Sequence, residues 1–115
     1  MDNEKKKKPI RVLIVDDDAD LRATTKEVLA YHGITLGAAR DANEALRTLK
    51  ASARMPYDLV LLDLGLQGKS GLDLLKQIRN ELKSRIPVLI ITGNADREIT
   101  AELAKLGVSG LLVKP

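Results

Sequence analysis

Four polar signals sit where short apolar runs end. Asp16, Asp17 and Asp18 follow the run 10–15, IRVLIV. Asp63 closes Leu59-Val60-Leu61-Leu62 and opens into a loop holding Gly65, Gly68 and Gly71. Thr92 follows Val88-Leu89-Ile90-Ile91, and Lys114 follows Leu111-Leu112-Val113. Clustered carboxylates repel one another, and a hard divalent cation is the usual way to hold them together. Mg²⁺ suits the role, taking one or two carboxylates, a carbonyl, waters and phosphate oxygens. A carboxylate is also a nucleophile toward phosphorus, giving an aspartyl phosphate. A hydroxyl and an ammonium can then neutralise the equatorial oxygens of the transferring group. Thr92 and Lys114 carry those two functions, so the set reads as a phosphoryl site.

The elements that must position these residues follow from the same pattern. A continuous apolar run bounded by breakers predicts a strand buried on both faces of a parallel sheet. Ligands of open α/β sheets gather outside the carboxyl ends of such strands. Strands are expected at Ile10–Val15, Thr35–Ala39, Leu59–Leu62, Val88–Ile91 and Leu111–Val113, the second a weaker edge. Helices are expected from Asp18 or Ala19 to about His32, from Ala42 to about Ser52, from Ser70 to about Lys83 and from about Asp96 to Leu106. Gly33 and Gly107 are their stop signals. Asp41 with Glu44, and Ser70 with Asp73, have capping-box spacing. Strands alternating with amphipathic helices give βαβ units, hence an α/β fold with a parallel sheet and right-handed crossovers.

The 115 residues suffice for one domain with a real core. That core must be aliphatic, because Phe and Trp are absent and only two Tyr occur. With no Cys, disulfides and thiolate chemistry are excluded. No apolar run approaches the ~20 residues of a membrane span, and the expectation is a soluble, cytoplasmic chain. The net charge of +3 owes much to Lys5, Lys6, Lys7 and Lys8. Residues 1–8 are read as a basic disordered tail, and 9–115 as the domain. A nucleic-acid arm would want aromatic platforms, which that tail lacks, and no DNA-reading element occurs within the chain.

Together these residues resemble the receiver domain of two-component response regulators, the CheY-like superfamily, across about residues 9–115. The resemblance implies a doubly wound, flavodoxin-like sheet of strand order 2-1-3-4-5. It implies that Asp16 and Asp17 bind Mg²⁺, with Mn²⁺ as a substitute, and that Asp63 is both phosphoacceptor and metal ligand. Gly65 would add its backbone carbonyl to the metal shell. Thr92 would contact the phosphoryl group, as would Lys114, ahead of Pro115 in a Lys-Pro peptide that is typically cis in the family. The implied donor is a sensor histidine kinase or phosphotransfer protein, and any effector domain would lie beyond Pro115. Such a domain catalyses its own phosphoryl transfer and hydrolysis and is a switch rather than a metabolic enzyme. Asp18 is read as a helix N-cap ahead of metal ligation, and His32 as a helix C-terminal residue rather than a phosphocarrier.

Several positions depart from the family. Gln67 stands where Pro is common, Gly93 where Ala is usual, and Leu111 where an aromatic switch residue is usual. The fifth helix of a receiver is missing before the sequence stops at Pro115. Half of one sheet face should then be bare, including apolar side chains of strands one and three. The expectation is a shortened chain, or a homodimer through that face. Two other readings stand beside the phosphoacceptor. One is a receiver-like interaction module that is never phosphorylated. The other is an aspartate-nucleophile phosphatase of the haloacid dehalogenase type, built on the D-x-D of Asp16 and Asp18, which leaves Asp63 unexplained.

Overall fold

Strands apolar on both sides must be covered on both sides, and five such segments pair here into one parallel sheet. The structure, a computed structural model, describes residues 9–66, 70–93 and 96–114. The basic tail 1–8, the loop residues Gln67 and Gly68, and Pro115 with its Lys-Pro peptide lie outside the described residues. The strands are β1 (Arg11–Val15), β2 (Thr35–Ala39), β3 (Leu59–Asp63), β4 (Val88–Thr92) and β5 (Gly110–Val113). Their order is β2-β1-β3-β4-β5, as the family resemblance implies. The helices among the described residues are α1 (Ala19–Tyr31), α2 (Ala42–Ala51), α3 (Gly71–Asn80) and α4 (Arg97–Leu106), with no fifth. None is long and apolar enough to cross a membrane.

Register carries the polar residues to one rim. Val15 pairs with Leu62, so the next residues, Asp16 and Asp63, emerge side by side. Asp63 pairs with Ile91, one residue before Thr92. Thr92 pairs with Val113, one residue before Lys114.

The chain steps one way from β1 to β2 and the other way from β2 to β3. Right-handed crossovers therefore put α1 on one face and α2, α3 and α4 on the other. On the second face Leu13, Val15, Val60, Leu62, Val88 and Ile90 meet Leu46, Leu74, Leu75, Ile78 and Leu103, all buried. Asp41 caps α2 by accepting from the Glu44 amide at 2.8 Å, while Glu44 accepts from the Arg40 amide at 3.1 Å. The box thus closes one residue earlier than its usual form.

α3 ends at Asn80 rather than near Lys83. The Leu82 amide donates to the Gln77 carbonyl, and Lys83 turns left-handed at φ 52°. That turn keeps Leu82 against the core. Arg79 then ties α3 to the end of α4, donating to the carbonyls of Leu106 at 2.7 Å and Gly107 at 3.0 Å.

The face carrying α1 is the poorly covered one, but not where strand one was expected to be bare. Val12 and Ile14 of β1 are 3% and 1% exposed, because β1 runs inside the sheet between β2 and β3 with α1 on that side. The exposed large apolar side chains on this side include Leu112 of edge strand β5, with Val28 and Tyr31 of α1. No residue of α1 is fully buried. The two faces should therefore respond unequally to truncation. Leu74→Ala is expected to cost about 2–5 kcal/mol and Val28→Ala less than about 0.5 kcal/mol, measured by urea unfolding of the 115-residue chain. Comparable losses at the two positions would contradict this division of the core.

Candidate functional site

The site begins with Asp16, the first residue past β1, whose side chain is 1% exposed. Its amide donates to the Ala39 carbonyl at the end of β2 at 3.1 Å. Its Oδ1 accepts from the Asp18 amide at 2.9 Å. Its Oδ2 is buried and has no hydrogen-bond partner. Asp63, the last residue of β3, is buried as well. Asp63 Oδ1 accepts from the Gly65 amide at 2.8 Å, and Oδ2 accepts from Lys114 Nζ at 3.0 Å. Thr92 is buried at the end of β4, and its carbonyl accepts from the Lys114 amide at 2.7 Å. Asp17 is exposed at the mouth.

Carboxylate oxygens of Asp16, Asp17 and Asp63 lie within 4.8 Å of one another. Burial holds the Asp16 carboxyl above its ordinary value; the Asp18 amide pulls it down, and the neighbouring charges of Asp63 and Asp17 push it up. The hydrogen bond to Asp63 raises Lys114, with further help from the charges of all three acids. A buried acceptor without a donor costs about 1–3 kcal/mol, and like charges add to that cost. One cation among these oxygens would relieve both. The donor set is all oxygen, without His or Cys, and fits a hard divalent ion such as Mg²⁺ or Mn²⁺.

Among the expected site residues, Asp16, Asp17, Asp63 and Lys114 come together directly, with Thr92 at the neighbouring strand end. Gly65 lies two residues beyond Asp63, with its amide on that carboxylate. Asp18 belongs to the helix instead, capping α1 by accepting from the amides of Asp20 and Leu21 at 3.0 and 3.1 Å. His32 caps the other end of α1. Leu111 is half-buried against the core under α4.

Two contributors were not read from the sequence. Gly71 opens α3, and a Cβ there would come within 2.6 Å of the Asp63 carbonyl oxygen. The helix approaches the rim this closely only because position 71 has no side chain. The available signal was a glycine at the first position of a helix already capped by Ser70, where glycine gives the helix nothing. Arg22, on the first full turn of α1, donates Nη1 to the Asp16 carbonyl at 2.6 Å. No spacing rule flags that contact.

Comparisons with known proteins converge on one family. The profile of the response regulator receiver domain matches residues 12–115. Chemotaxis protein CheY-3 of Vibrio cholerae is 39% identical over 110 residues, covering 94% of this chain and 82% of that protein. The two-component response regulator PhoP of Pseudomonas aeruginosa is 36% identical, covering 92% of this chain and 45% of that protein. Among solved structures, a response regulator receiver protein from Pseudomonas putida superposes with a TM-score of 0.87 at 33% identity, covering 95% of this chain and 88% of that one. TrrA of Thermotoga maritima, solved in complex with Mg²⁺ and BeF, superposes with a TM-score of 0.75 at 29% identity, covering 92% and 87%.

The burial of Asp16 has a thermodynamic consequence. Its folded-state proton affinity is raised, so above the ordinary aspartate value of 3.8 the unfolded chain releases that proton more readily. Asp16 thus favours the fold at low pH, loses that contribution as pH rises through its raised value, and opposes folding at pH 7. Asp16→Asn is expected to raise the unfolding midpoint at pH 7 in EDTA by roughly 4 °C. Where Mg²⁺ raises the midpoint of the wild-type chain, the variant should lose that rise. Calorimetry with and without Mg²⁺ measures both, and a less stable variant in EDTA would contradict the electrostatic account.

Proposed function

The chain belongs to the response regulator receiver domain family, and from that premise we propose that Asp63 accepts a phosphoryl group from a phosphohistidine donor. The donor would be a sensor histidine kinase or a phosphotransfer protein. The observation that carries the reading is the Lys114 Nζ to Asp63 Oδ2 contact of 3.0 Å beside the partnerless Oδ2 of Asp16. It joins a nucleophile, a mobile ammonium and the beginnings of a cation site at one sheet rim.

In this reading Asp16, Asp17 and Asp63 hold Mg²⁺ or Mn²⁺, with the Gly65 carbonyl as a further ligand. Bound there, such an ion would supply positive charge to the phosphoryl oxygens. A carboxylate oxygen of Asp63 attacks phosphorus as the bond to the donor imidazole nitrogen breaks, and the imidazole, already protonated on its other ring nitrogen, leaves neutral. Lys114 is already on Asp63 and transfers its hydrogen bond to a phosphoryl oxygen. The buried Thr92 hydroxyl lies one strand over and takes another oxygen. Most of the work is positioning and charge neutralisation, as phosphoryl transfer requires. The domain is a switch that carries its own transfer and hydrolysis chemistry. The altered surface would be read by a partner or by an effector domain joined to it.

Acetyl phosphate or phosphoramidate with Mg²⁺ should label Asp63 in the isolated chain, mapped by mass spectrometry after borohydride trapping. Asp63→Asn should abolish the label, and Lys114→Ala should reduce its rate by about 10²-fold or more. Label on Asp16 would instead favour the haloacid dehalogenase type of phosphatase. No label anywhere would leave a receiver-like interaction module.

A further inference from the structure

Asp16 is fixed at three points and free at one. Its amide is held by β2 through the Ala39 carbonyl, its Oδ1 by the Asp18 amide, and its carbonyl by Arg22 Nη1 at 2.6 Å. The free atom is the buried Oδ2. Arg22 provides the only side chain among these three anchors. It is half-buried and reaches back from α1 to the end of β1.

The carbonyl it holds belongs to the peptide unit joining Asp16 to Asp17. That unit is planar, so fixing its oxygen fixes the plane from which Asp17 departs. Asp17 needs such help: it is exposed and makes no hydrogen bond or ion pair of its own among the described residues. Side-chain entropy alone would leave its carboxylate among several rotamers.

We propose that Arg22 is a positioning residue for the divalent-cation site, holding the Asp16–Asp17 peptide so that both carboxylates face one ion. The inference rests on the metal-binding reading of the acidic cluster. Arg22 works through the backbone and does not touch the ion. Its own positive charge acts in the opposite direction, since a nearby guanidinium repels a cation. The net sign of an Arg22 substitution therefore separates the two roles. A positioning residue weakens binding when lost, whereas a merely electrostatic neighbour strengthens it.

The test uses the full chain with Mn²⁺, following the free-ion signal by electron paramagnetic resonance. Arg22→Ala and Arg22→Gln are expected to weaken Mn²⁺ binding about tenfold, the usual order for losing an outer-shell orienting group. Arg22→Lys keeps a donor of similar reach and should recover most of that loss. Labelling of Asp63 by acetyl phosphate should need about tenfold more Mg²⁺ in Arg22→Gln, yet reach a similar maximal rate. A structural defect would lower that maximum as well, and circular dichroism identifies any variant that does not fold. If Arg22→Ala does not fold, Arg22→Gln and Arg22→Lys decide the matter. Unchanged or tighter Mn²⁺ binding in Arg22→Gln overturns the inference while leaving the cation site standing. Failure of the wild-type chain to bind Mn²⁺ overturns the cation site and the inference together.

Discussion

Three carboxylates at one end of a sheet repel one another, and the rest of the molecule is arranged to make that repulsion tolerable. Two of them, Asp16 and Asp63, are almost wholly buried, where water cannot screen them. Lys114 offsets part of the cost by giving its ammonium to Asp63. Backbone amides of Asp18 and Gly65 offset more. What remains is concentrated at a single unpartnered oxygen of Asp16. Three carboxylates against one ammonium leave an excess of negative charge there, which a cation would relieve.

The sheet creates this condition by register rather than by local folding. No two of the four signals are neighbours along the chain except the acids after β1. They become neighbours because β3 lies between β1 and β4 and all strands run the same way. Asp16 and Asp63 leave their strands at one level, and Thr92 and then Lys114 each stand one residue further along. The helices that return the chain lie on the faces and leave the rim open. Slipping one pair by a single residue would turn its apolar side chains to the wrong face. The hydrophobic core therefore specifies the site's geometry.

This explains which parts could be read from the residues. Five apolar runs, each stopped by a turn or a charge, locate the strands to within a residue at either end. Asp41, Ser70, Asp96, Gly33 and Gly107 announce helix ends by local chemistry, and all five act as expected in the structure. The early end of α3 was less legible. Glu81, Leu82 and Lys83 are acceptable helix residues, and it is the burial of Leu82 that draws the backbone into a left-handed turn at Lys83. Gly71 and Arg22 were illegible for a related reason. Both act across a tertiary contact, one by having no side chain against the Asp63 carbonyl and the other by reaching a carbonyl six residues back. Periodicity and capping rules describe neighbours in sequence and contain no information about such approaches.

The uneven covering of the two faces has the same origin. Helices α2, α3 and α4 share one face and bring Leu46, Leu74, Leu75, Ile78 and Leu103 into a continuous aliphatic core. Alone among the described helices on its face, α1 cannot be enclosed on both flanks, and none of its residues is fully buried. Strand β1 escapes exposure because it lies between β2 and β3 on the side of α1, and exposed apolar surface appears instead at Leu112 of edge strand β5. Lys114 follows this partly exposed edge strand, and its amide bonds back to the Thr92 carbonyl. Segments with few buried contacts open most readily. The two residues expected to follow the phosphoryl group are therefore tied to an edge strand whose last residues are exposed. Leu111, apolar and half-buried, has no hydroxyl to exchange between core and solvent. Any signal from Thr92 must then travel by the backbone of β4 and β5, not by the swing of a ring.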